Sequence, residues 1–205
     1  MFTTNKLQAS CSRAMDAIEQ RCPWSTGSEL YQHYHDFEWG RPVRDEQKMF
    51  EFLTLETFQA GLSWITILKK RKNFREAFHQ FNIKKIAAMN EQDIDTLMNN
   101  VGIIRNQKKI EAAIHNAQIL LRLHQNGTTL VDTLWAYMDN MPLDNQRKYL
   151  GEVPALTPLA TQISKDLKAI GFKFLGPTTI YAHMQACGMV NDHLVSCPSH
   201  KDCLE

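Results

Sequence analysis

Two cysteines and two histidines at opposite ends of the chain have the right types and spacing to hold a zinc ion. Cys22 and His35 lie near the start, and His193 and Cys197 lie near the end. Together they make the Cys2His2 set with which protein side chains fill all four positions of tetrahedral zinc. A closed set of this kind is structural. We therefore predict one zinc ion that pins the two ends of a helical domain together, and we look for the chemistry elsewhere.

The run from Leu55 to Trp64 places a carboxylate on the apolar side of a predicted helix. An unpaired charge at Glu56 is costly there unless a partner satisfies it. One interpretation pairs Glu56 with a core lysine, arginine or tyrosine. The other makes it the acid of a pocket for a flat, positively charged ligand such as a modified purine. The aromatic rings available for that pocket are those of Trp64, Tyr31, Tyr34 and Trp39.

A short link that contains Gly102 separates two helical patterns within about 91–126. This pattern is typical of a helix-hairpin-helix, in which backbone N–H groups and a helix N-terminus suit a DNA phosphate. We assign DNA contact to Gly102, Ile103 and Lys108, with Lys109 adding positive charge. The usual second glycine is missing, so an ordinary tight connection between packed helices stays open as the alternative.

Apolar residues recur at helical spacing along almost the whole chain, and convincing strand alternation is lacking. We therefore predict an all-α fold. The segment 141–154 has no periodicity and is predicted to be a loop. Helices are expected to end at Gly171 and before Gly127. Helix starts are expected at Asp45, Ser63, Asn73, Asn90 with Asp93, Asn106, Thr157-Pro158 and Gly176-Pro177.

The composition suits one compact domain, or two small lobes that share a core. The 205 residues are 43% hydrophobic and 22% charged, and the net charge of +1 leaves any nucleic acid to be held by a local basic face. No membrane-length apolar run or secretory signal is visible, so we expect a cytoplasmic protein. The five cysteines, two of them paired with histidines at metal-like spacing, argue against a disulfide framework.

Other reactive side chains receive structural interpretations. Asp132 completes a capping box with Thr129 and is interpreted as a cap, not as a catalytic aspartate. Cys203 is interpreted as a bystander in a polar tail, and the charge run 69–72 as a solvated helix end. The remaining histidines are mostly expected to be solvated or locally hydrogen-bonded, namely His33, His79, His115, His124, His183 and His200.

Five blocks of residues occur in order at compatible spacing. They are Cys22-Pro23-Trp24, Tyr31-x-x-Tyr34-His35-Asp36-x-Glu38-Trp39-Gly40, Glu56-x-x-Gln59-Ala60-Gly61-Leu62-Ser63-Trp64, Gly102-Ile103-Ile104-Arg105 and Asn191-Asp192-His193-x-x-x-Cys197. Together they resemble the DNA-3-methyladenine glycosylase I family, over about Arg21 to Cys197. On this basis we divide the chain into an extension of unknown role (1–20), a glycosylase domain (21–198) and a C-terminal tail (199–205).

The resemblance implies a helix-hairpin-helix glycosylase with one structural zinc ion, held by the two cysteines and two histidines named first. It implies a base pocket lined by Glu56, Tyr34 and Trp64, with Tyr31 nearby, and Glu56 as the catalytic residue. The implied partner is double-stranded DNA that contains 3-methyladenine, which a monomer releases as the free base. No lysine is marked as a Schiff-base nucleophile, which favours an abasic product without strand cleavage.

The chemistry of such a lesion sets the task of each residue. Alkylation at N3 makes adenine cationic, so the leaving group is already activated and little acid catalysis is needed. We expect Glu56 to hydrogen-bond the adenine edge and stabilise its charge, Trp64 to stack on the ring and Tyr34 to orient it. Gly61 and Leu62 are expected to fill the gap that the extruded base leaves in the duplex.

Two rival functions stay open at this point. A lesion-sensing protein would bind alkylated DNA through the same hairpin and pocket without releasing base. A zinc hydrolase would use its metal to activate water and would leave one metal position to solvent. The full Cys2His2 set disfavours the hydrolase.

Overall fold

Ten α-helices, four 3-10 turns and a two-stranded parallel sheet form residues 21–204, the part of the chain that this computed structural model describes. The helices are α1 Glu29–Phe37, α2 Glu46–Gln59, α3 Trp64–Ala77, α4 Ile83–Ala87, α5 Glu91–Asn99, α6 Gln107–Gln125, α7 Leu130–Trp135, α8 Pro158–Ile170, α9 Pro177–Ala186 and α10 Pro198–Asp202. The 3-10 turns are Pro23–Ser25, His79–Phe81, Ala136–Met138 and Leu150–Glu152, and the strands are β1 Leu143–Asp144 and β2 Val190–Asn191. The proposed extension 1–20 lies outside the described residues.

Helix α2 runs through the centre of the core, because every side chain from Met49 to Phe58 is buried. It packs against α3, α7 and α9. A helix that is buried on all sides must find partners for its charged groups within the protein. Its two buried carboxylates, Glu51 and Glu56, therefore have to be explained by what surrounds each of them.

Most predicted helix starts are confirmed by their caps. The side chains of Asp45, Asn106 and Thr157 accept hydrogen bonds from backbone N–H groups in the first turns of α2, α6 and α8. Asn90 and Asp93 form the predicted capping box of α5. These side chains satisfy N–H groups that have no partner within the helix, which is why the helices begin where the sequence indicates.

Asp132 has the structural role expected of it. It forms a capping box with Thr129 at the start of α7, where its carboxylate accepts hydrogen bonds from the Thr129 N–H and hydroxyl groups. Gly171 ends α8 with a φ of +113°, a left-handed conformation that favours glycine. Both features follow from the local sequence alone.

The prediction that Asn73 begins a separate helix is wrong. Helix α3 is continuous from Trp64 to Ala77, and the Asn73 amide instead donates to the carbonyl oxygen of Gly102 at 3.3 Å. Ser63 does precede α3, but its hydroxyl bonds to the Thr66 hydroxyl and does not cap the backbone.

The segment 141–154 is not a plain loop, and the fold is mostly helical instead of all-α. Strand β1 pairs in parallel with β2, with Leu143 opposite Val190 and Asp144 opposite Asn191. Each strand has only two residues, which is too short to show the alternation of apolar and polar residues by which strands are predicted. The pairing ties the segment to the C-terminal part of the chain.

The C-terminal residues are packed against the domain. The expected tail boundary at 198 falls inside α10, and Ser199, His200 and Cys203 are buried. Among the helices of residues 21–204, none has both the length and the apolar character needed to cross a lipid bilayer.

Candidate functional site

The four predicted metal ligands converge at one buried point, where their donor atoms lie within 4.8 Å of one another. The Cys197 Sγ atom is 3.7 Å from His35 Nε2 and 3.9 Å from His193 Nδ1, and Cys22 Sγ is 3.8 Å from His193 Nδ1. Usual bond lengths in a tetrahedral zinc site separate sulfur from nitrogen donors by about 3.6 Å. The donor set and its spacing fit a tetrahedral metal ion.

Both histidines of the cluster are oriented through their second ring nitrogen. His35 Nδ1 lies 2.7 Å from Asp36, which Arg21 holds with hydrogen bonds of 3.0 and 2.6 Å. His193 Nε2 lies 3.0 Å from the carbonyl oxygen of Trp39. Partners of this kind fix the tautomer and direct the other nitrogen toward a metal, so the surroundings of the cluster fit one as well.

The backbone at Gly40 passes so close to the cluster that no side chain fits. Its φ is +80°, and a Cβ atom there would lie 2.9 Å from the His193 ring. Cys203 lies nearby, with its Sγ atom 3.8 Å from the Trp39 carbonyl oxygen, but it is not one of the four converging donors. This fits the interpretation of Cys203 as a bystander, although the side chain is buried against the domain and does not lie in an exposed polar tail.

A cavity of about 260 Å³ opens beside the cluster, and Glu56 lines it. This side chain is 4% exposed, and burial raises its pKa to about 8. Within residues 21–204 no donor hydrogen-bonds its carboxylate. The nearby Arg71 and Arg75 instead bond to Glu51, with Nε to Oε1 distances of 2.6 and 2.8 Å. The interpretation in which a core partner satisfies Glu56 therefore does not hold for the described residues.

Aromatic rings make up much of the cavity wall. Tyr31, Tyr34, Glu56 and Trp64, the four residues predicted for the pocket, all line it. The rings of Tyr34 and Trp64 lie 5.5 Å apart between centroids. Burial, with a contribution from the nearby Glu56 charge, raises the pKa of both tyrosines. The indole nitrogen of Trp64 is buried and has no hydrogen-bond partner among the described residues.

Trp24 also lines the cavity, although no separate role was predicted for it. Its ring centroid lies 5.1 Å from Tyr31, 5.1 Å from His35 and 4.9 Å from Trp39. Trp24 thus joins the pocket to the metal cluster. The sequence signal for this position is that Trp24 lies two residues after Cys22. A cysteine held in the Cys/His cluster also restricts where the residues next to it can lie.

A second part of the cavity wall comes from the C-terminal half of the chain, and these residues were not predicted to line the pocket. Its residues are Leu150, Val153, Ala182, Gln185, Asp192 and Leu194. Two of them lie in the segment 141–154. No local pattern pairs that segment with β2, so only the folded structure brings it to the pocket.

The link 100–106 between α5 and α6 is held by the protein's own side chains. Asn100 accepts a hydrogen bond from the Gly102 N–H at 2.8 Å. Lys70 donates to the carbonyl oxygens of Val101 and Gly102, at 2.9 and 3.3 Å. Ile103 is buried. The N–H of Gly102 is therefore already in use within the chain.

Lys109, expected to add positive charge to the hairpin, is buried instead. Its Nζ atom donates to the carbonyl oxygen of Ala60 at 2.9 Å, where helix α2 ends. This contact supports the turn at Gly61, whose φ is +87°. Leu62 is 39% exposed beside it, and Lys108 remains exposed at the start of α6.

The charge run 69–72 is only partly a solvated helix end. Arg71 is buried, and it pairs with Glu51 and, at 2.7 Å, with Glu38. Its role is structural, and the expectation of solvation is wrong at this position.

His183 is not solvated, because it is fully buried and burial lowers its pKa to about 3. It does have a local partner, since both ring nitrogens lie 3.7 Å from the Sγ atom of Cys187, four residues along the chain. Three other histidines are hydrogen-bonded, but to partners distant in sequence: His115 to the Gly171 carbonyl oxygen, His124 to Glu46 and His200 to Asp144.

Comparisons with known proteins agree on one family. The methyladenine glycosylase family model matches residues 24–200. DNA-3-methyladenine glycosylase 1 of Escherichia coli (strain K12) is 49% identical over 178 residues, which cover 87% of this chain and 95% of that protein. A crystal structure of 3-methyladenine DNA glycosylase I is 49% identical, with 87% of this chain and 98% of that chain covered and a TM-score of 0.85.

A further structure, of a tyrosine-to-phenylalanine variant of 3-methyladenine DNA glycosylase I in complex with 3-methyladenine, is 41% identical. It covers 88% of this chain and 97% of that chain, with a TM-score of 0.85. Fold and cavity thus define a mostly helical domain that holds a buried acid among aromatic rings. The chain belongs to the methyladenine glycosylase family.

Proposed function

We propose that this chain is a DNA glycosylase that hydrolyses the N-glycosidic bond of 3-methyladenine in alkylated double-stranded DNA. It releases the free base and leaves an abasic site without cutting the strand. Membership of the family and the relative in complex with 3-methyladenine support this function. The observation that carries it is Glu56, a buried carboxyl group without a partner in the described chain, facing a cavity walled by aromatic rings.

The reaction needs little acid catalysis. In a 3-methylated nucleotide the adenine carries a positive charge. When the glycosidic bond to C1′ breaks, both electrons of that bond go to the base. The base leaves as a neutral molecule, water adds to the sugar cation, and one proton is released. The protein therefore has to extrude the nucleotide, recognise its charge and admit water.

Glu56 is the residue that we assign to charge recognition. With a pKa of about 8 it is largely protonated near neutral pH when the pocket is empty. A cationic base favours the ionised form, because opposite charges attract strongly where water is excluded. Normal adenine offers no such charge and gains nothing from the carboxylate. This difference selects the alkylated base.

The aromatic residues hold the flipped base. We assign stacking to Trp64, orientation to Tyr34 and a supporting contact to Tyr31. The Trp64 ring lines the cavity beside Tyr34, with 5.5 Å between the ring centroids, and this position supports stacking on the base. The aromatic rings that line this one cavity support a planar substrate.

DNA contact is assigned to two neighbouring turns. We infer that α5, the link 100–106 and α6 act as a helix-hairpin-helix, with phosphate held at Gly102, Ile103 and Lys108. A phosphate oxygen is the group that would replace the Asn100 side chain at the Gly102 N–H. Gly61 and Leu62 would fill the space left by the base, which the exposure of Leu62 and the open surroundings of Gly61 support.

The metal is inferred to be one zinc ion with a structural role, held by the four converging ligands. It would join the residues after Arg21 to those before Pro198 and supply no step of the reaction. We also infer a monomer that acts in the cytoplasm. The cysteines of residues 21–204 form no disulfide, and this supports a reducing compartment.

Base release from methylated DNA tests the proposal. The wild-type protein is incubated with alkylated duplex, and the released bases are separated by chromatography. We expect 3-methyladenine to be released while normal adenine stays bound to the sugar. Tight binding of the alkylated duplex with no released base would instead support the lesion-sensing alternative.

A further inference from the structure

The wall formed by the C-terminal half of the chain contains two aliphatic residues with no assigned role. Leu150 and Val153 line the same cavity as Glu56, and both belong to the turn that begins at Leu150. Leu150 is 47% exposed, so it lies at the mouth of the cavity and not deep within it. Val153 is partly buried and packs against the main hydrophobic core. We call the residues 149–153 the rim segment.

The rim segment is fixed at its start by a buried carboxylate. The Nε atom of Arg147 donates to Asp192 at 3.0 Å, and the Arg147 carbonyl oxygen accepts from the Val195 N–H at 2.8 Å. Asp192 is 2% exposed. Its remaining donors are Asn145, Tyr181 and Gln185, at 2.8, 2.5 and 2.7 Å. A carboxylate with four donors leaves the wall little freedom to move.

The rim segment also closes on itself. The Val153 N–H donates to the Leu150 carbonyl oxygen at 3.1 Å, and the Glu152 carboxylate accepts from the Lys148 N–H at 2.6 Å. Leu150 and Val153 therefore face the cavity from a braced turn. Because these bonds hold the backbone of the turn, the Leu150 and Val153 side chains start from fixed positions at the cavity wall, and their bulk limits the size of a ligand.

Charge recognition cannot distinguish one alkyl group from another. Every adenine that is alkylated at N3 carries the same charge, so Glu56 favours all of them over adenine to a similar extent. We propose that Leu150 and Val153 set the upper size limit of the alkylated base that the pocket accepts. This inference rests on the proposed function and names the side chains that make it selective for small alkyl groups.

Binding of free bases of two sizes tests the inference. Dissociation constants for 3-methyladenine and 3-ethyladenine are measured by tryptophan fluorescence for the wild type, Leu150→Ala and Val153→Ala. We expect each variant to lower the ratio of the 3-ethyladenine constant to the 3-methyladenine constant about tenfold, the effect of one methylene in an apolar pocket. Leu156→Ala is the matched control, because Leu156 is 46% exposed and does not line the cavity. Its ratio should equal that of the wild type.

The outcomes separate the two proposals. If the wild type binds 3-methyladenine but Leu150→Ala keeps the wild-type ratio, or Leu156→Ala shifts it equally, the size limit lies elsewhere and this inference is overturned. If the wild type binds neither base, the proposed function itself fails. Leu150 is not a core residue, so its truncation leaves the fold intact. Leu150→Phe should raise the ratio of the 3-ethyladenine constant to the 3-methyladenine constant, whereas Leu150→Ala should lower it.

Discussion

Glu51 and Glu56 are two buried carboxylates on helix α2 with opposite surroundings. Glu51 accepts hydrogen bonds from Arg71 and Arg75, whereas no donor within residues 21–204 reaches Glu56. One acid is part of an ion-pair network that holds α2 to α3. The other lines a cavity, where the burial of its carboxyl group lowers the stability of the protein unless a ligand offsets this cost. Under the proposed function, this difference distinguishes the structural acid Glu51 from the base-binding acid Glu56.

The two acids should respond oppositely to amide substitution. Glu51→Gln leaves the buried Arg71 with one carboxylate partner fewer, so we expect it to lower the free energy of unfolding by about 3 kcal/mol. Glu56→Gln removes a carboxyl group without a partner and should not lower it. Urea unfolding at pH 7.5 measures both values. A larger loss for Glu56→Gln than for Glu51→Gln would contradict the account.

The stability cost of Glu56 should depend on pH. Its pKa is about 8 in the folded protein, above its ordinary value of 4.5. Between these values the folded state holds a proton that the unfolded chain has released, so rising pH favours unfolding. Wild-type stability should therefore fall relative to Glu56→Gln from pH 4.5 to pH 8, by at most about 5 kcal/mol, and then level off.

Urea unfolding of both proteins at several pH values checks this dependence. The metal cluster and every other titrating group are common to the two proteins, so they cancel in the difference. The cost should be absent below pH 4.5. A difference that stays constant from pH 5 to pH 8 would show that Glu56 keeps its ordinary pKa.

Removal of zinc should affect folding more than chemistry. Cys197→Ser takes one thiolate from the cluster, and we expect loss of about one bound zinc per chain together with a clear fall in Tm. Protein that remains folded should still release base at close to the wild-type rate. Metal analysis, thermal unfolding and single-turnover excision at low temperature provide the three readouts. A normal Tm with a lost chemical rate would favour the zinc hydrolase.

Lys70 should matter for DNA binding and not for the base pocket. Its ammonium group holds the carbonyl oxygens of Val101 and Gly102, at 2.9 and 3.3 Å. Lys70→Met should raise KM for methylated duplex about tenfold, as expected for the loss of a hydrogen bond from a charged donor, with little change in kcat. The affinity for free 3-methyladenine should not change. Lys69→Met, on the exposed side of the same helix, is the control, and equal effects of the two variants would contradict a specific role for Lys70.

Local signals predicted most helix boundaries and the convergence of the two cysteines and two histidines. Caps such as Asp45 and Asn106 act on N–H groups within one turn, so the neighbouring sequence contains the whole interaction. Cysteine and histidine have few roles when they are buried together, so Cys22 and His193 could be paired across the chain. Glu56 stood out because a carboxylate on an apolar helix face requires an explanation.

The features that were missed depend on contacts between distant parts of the chain. Asn73 has the sequence context of a helix cap, but its amide donates to the carbonyl oxygen of Gly102 in the link between α5 and α6. Arg71 lies in a charge run that predicts solvent exposure, but it forms ion pairs with Glu51 and Glu38. The rim segment reaches the pocket only through Asp192 and the short parallel strands. Neither kind of contact leaves a periodic trace in the sequence.

Excision by the Glu56→Gln variant is the most direct test of the central claim that this carboxylate recognises the charged base. Wild type, Glu56→Gln and Glu51→Gln are compared on methylated duplex at equal concentrations of folded protein, and released 3-methyladenine is quantified by chromatography. We predict that Glu56→Gln is at least about 100-fold slower than the wild type, while Glu51→Gln retains its rate per folded molecule. Release at the wild-type rate by Glu56→Gln, together with normal binding of the free base, would contradict the claim.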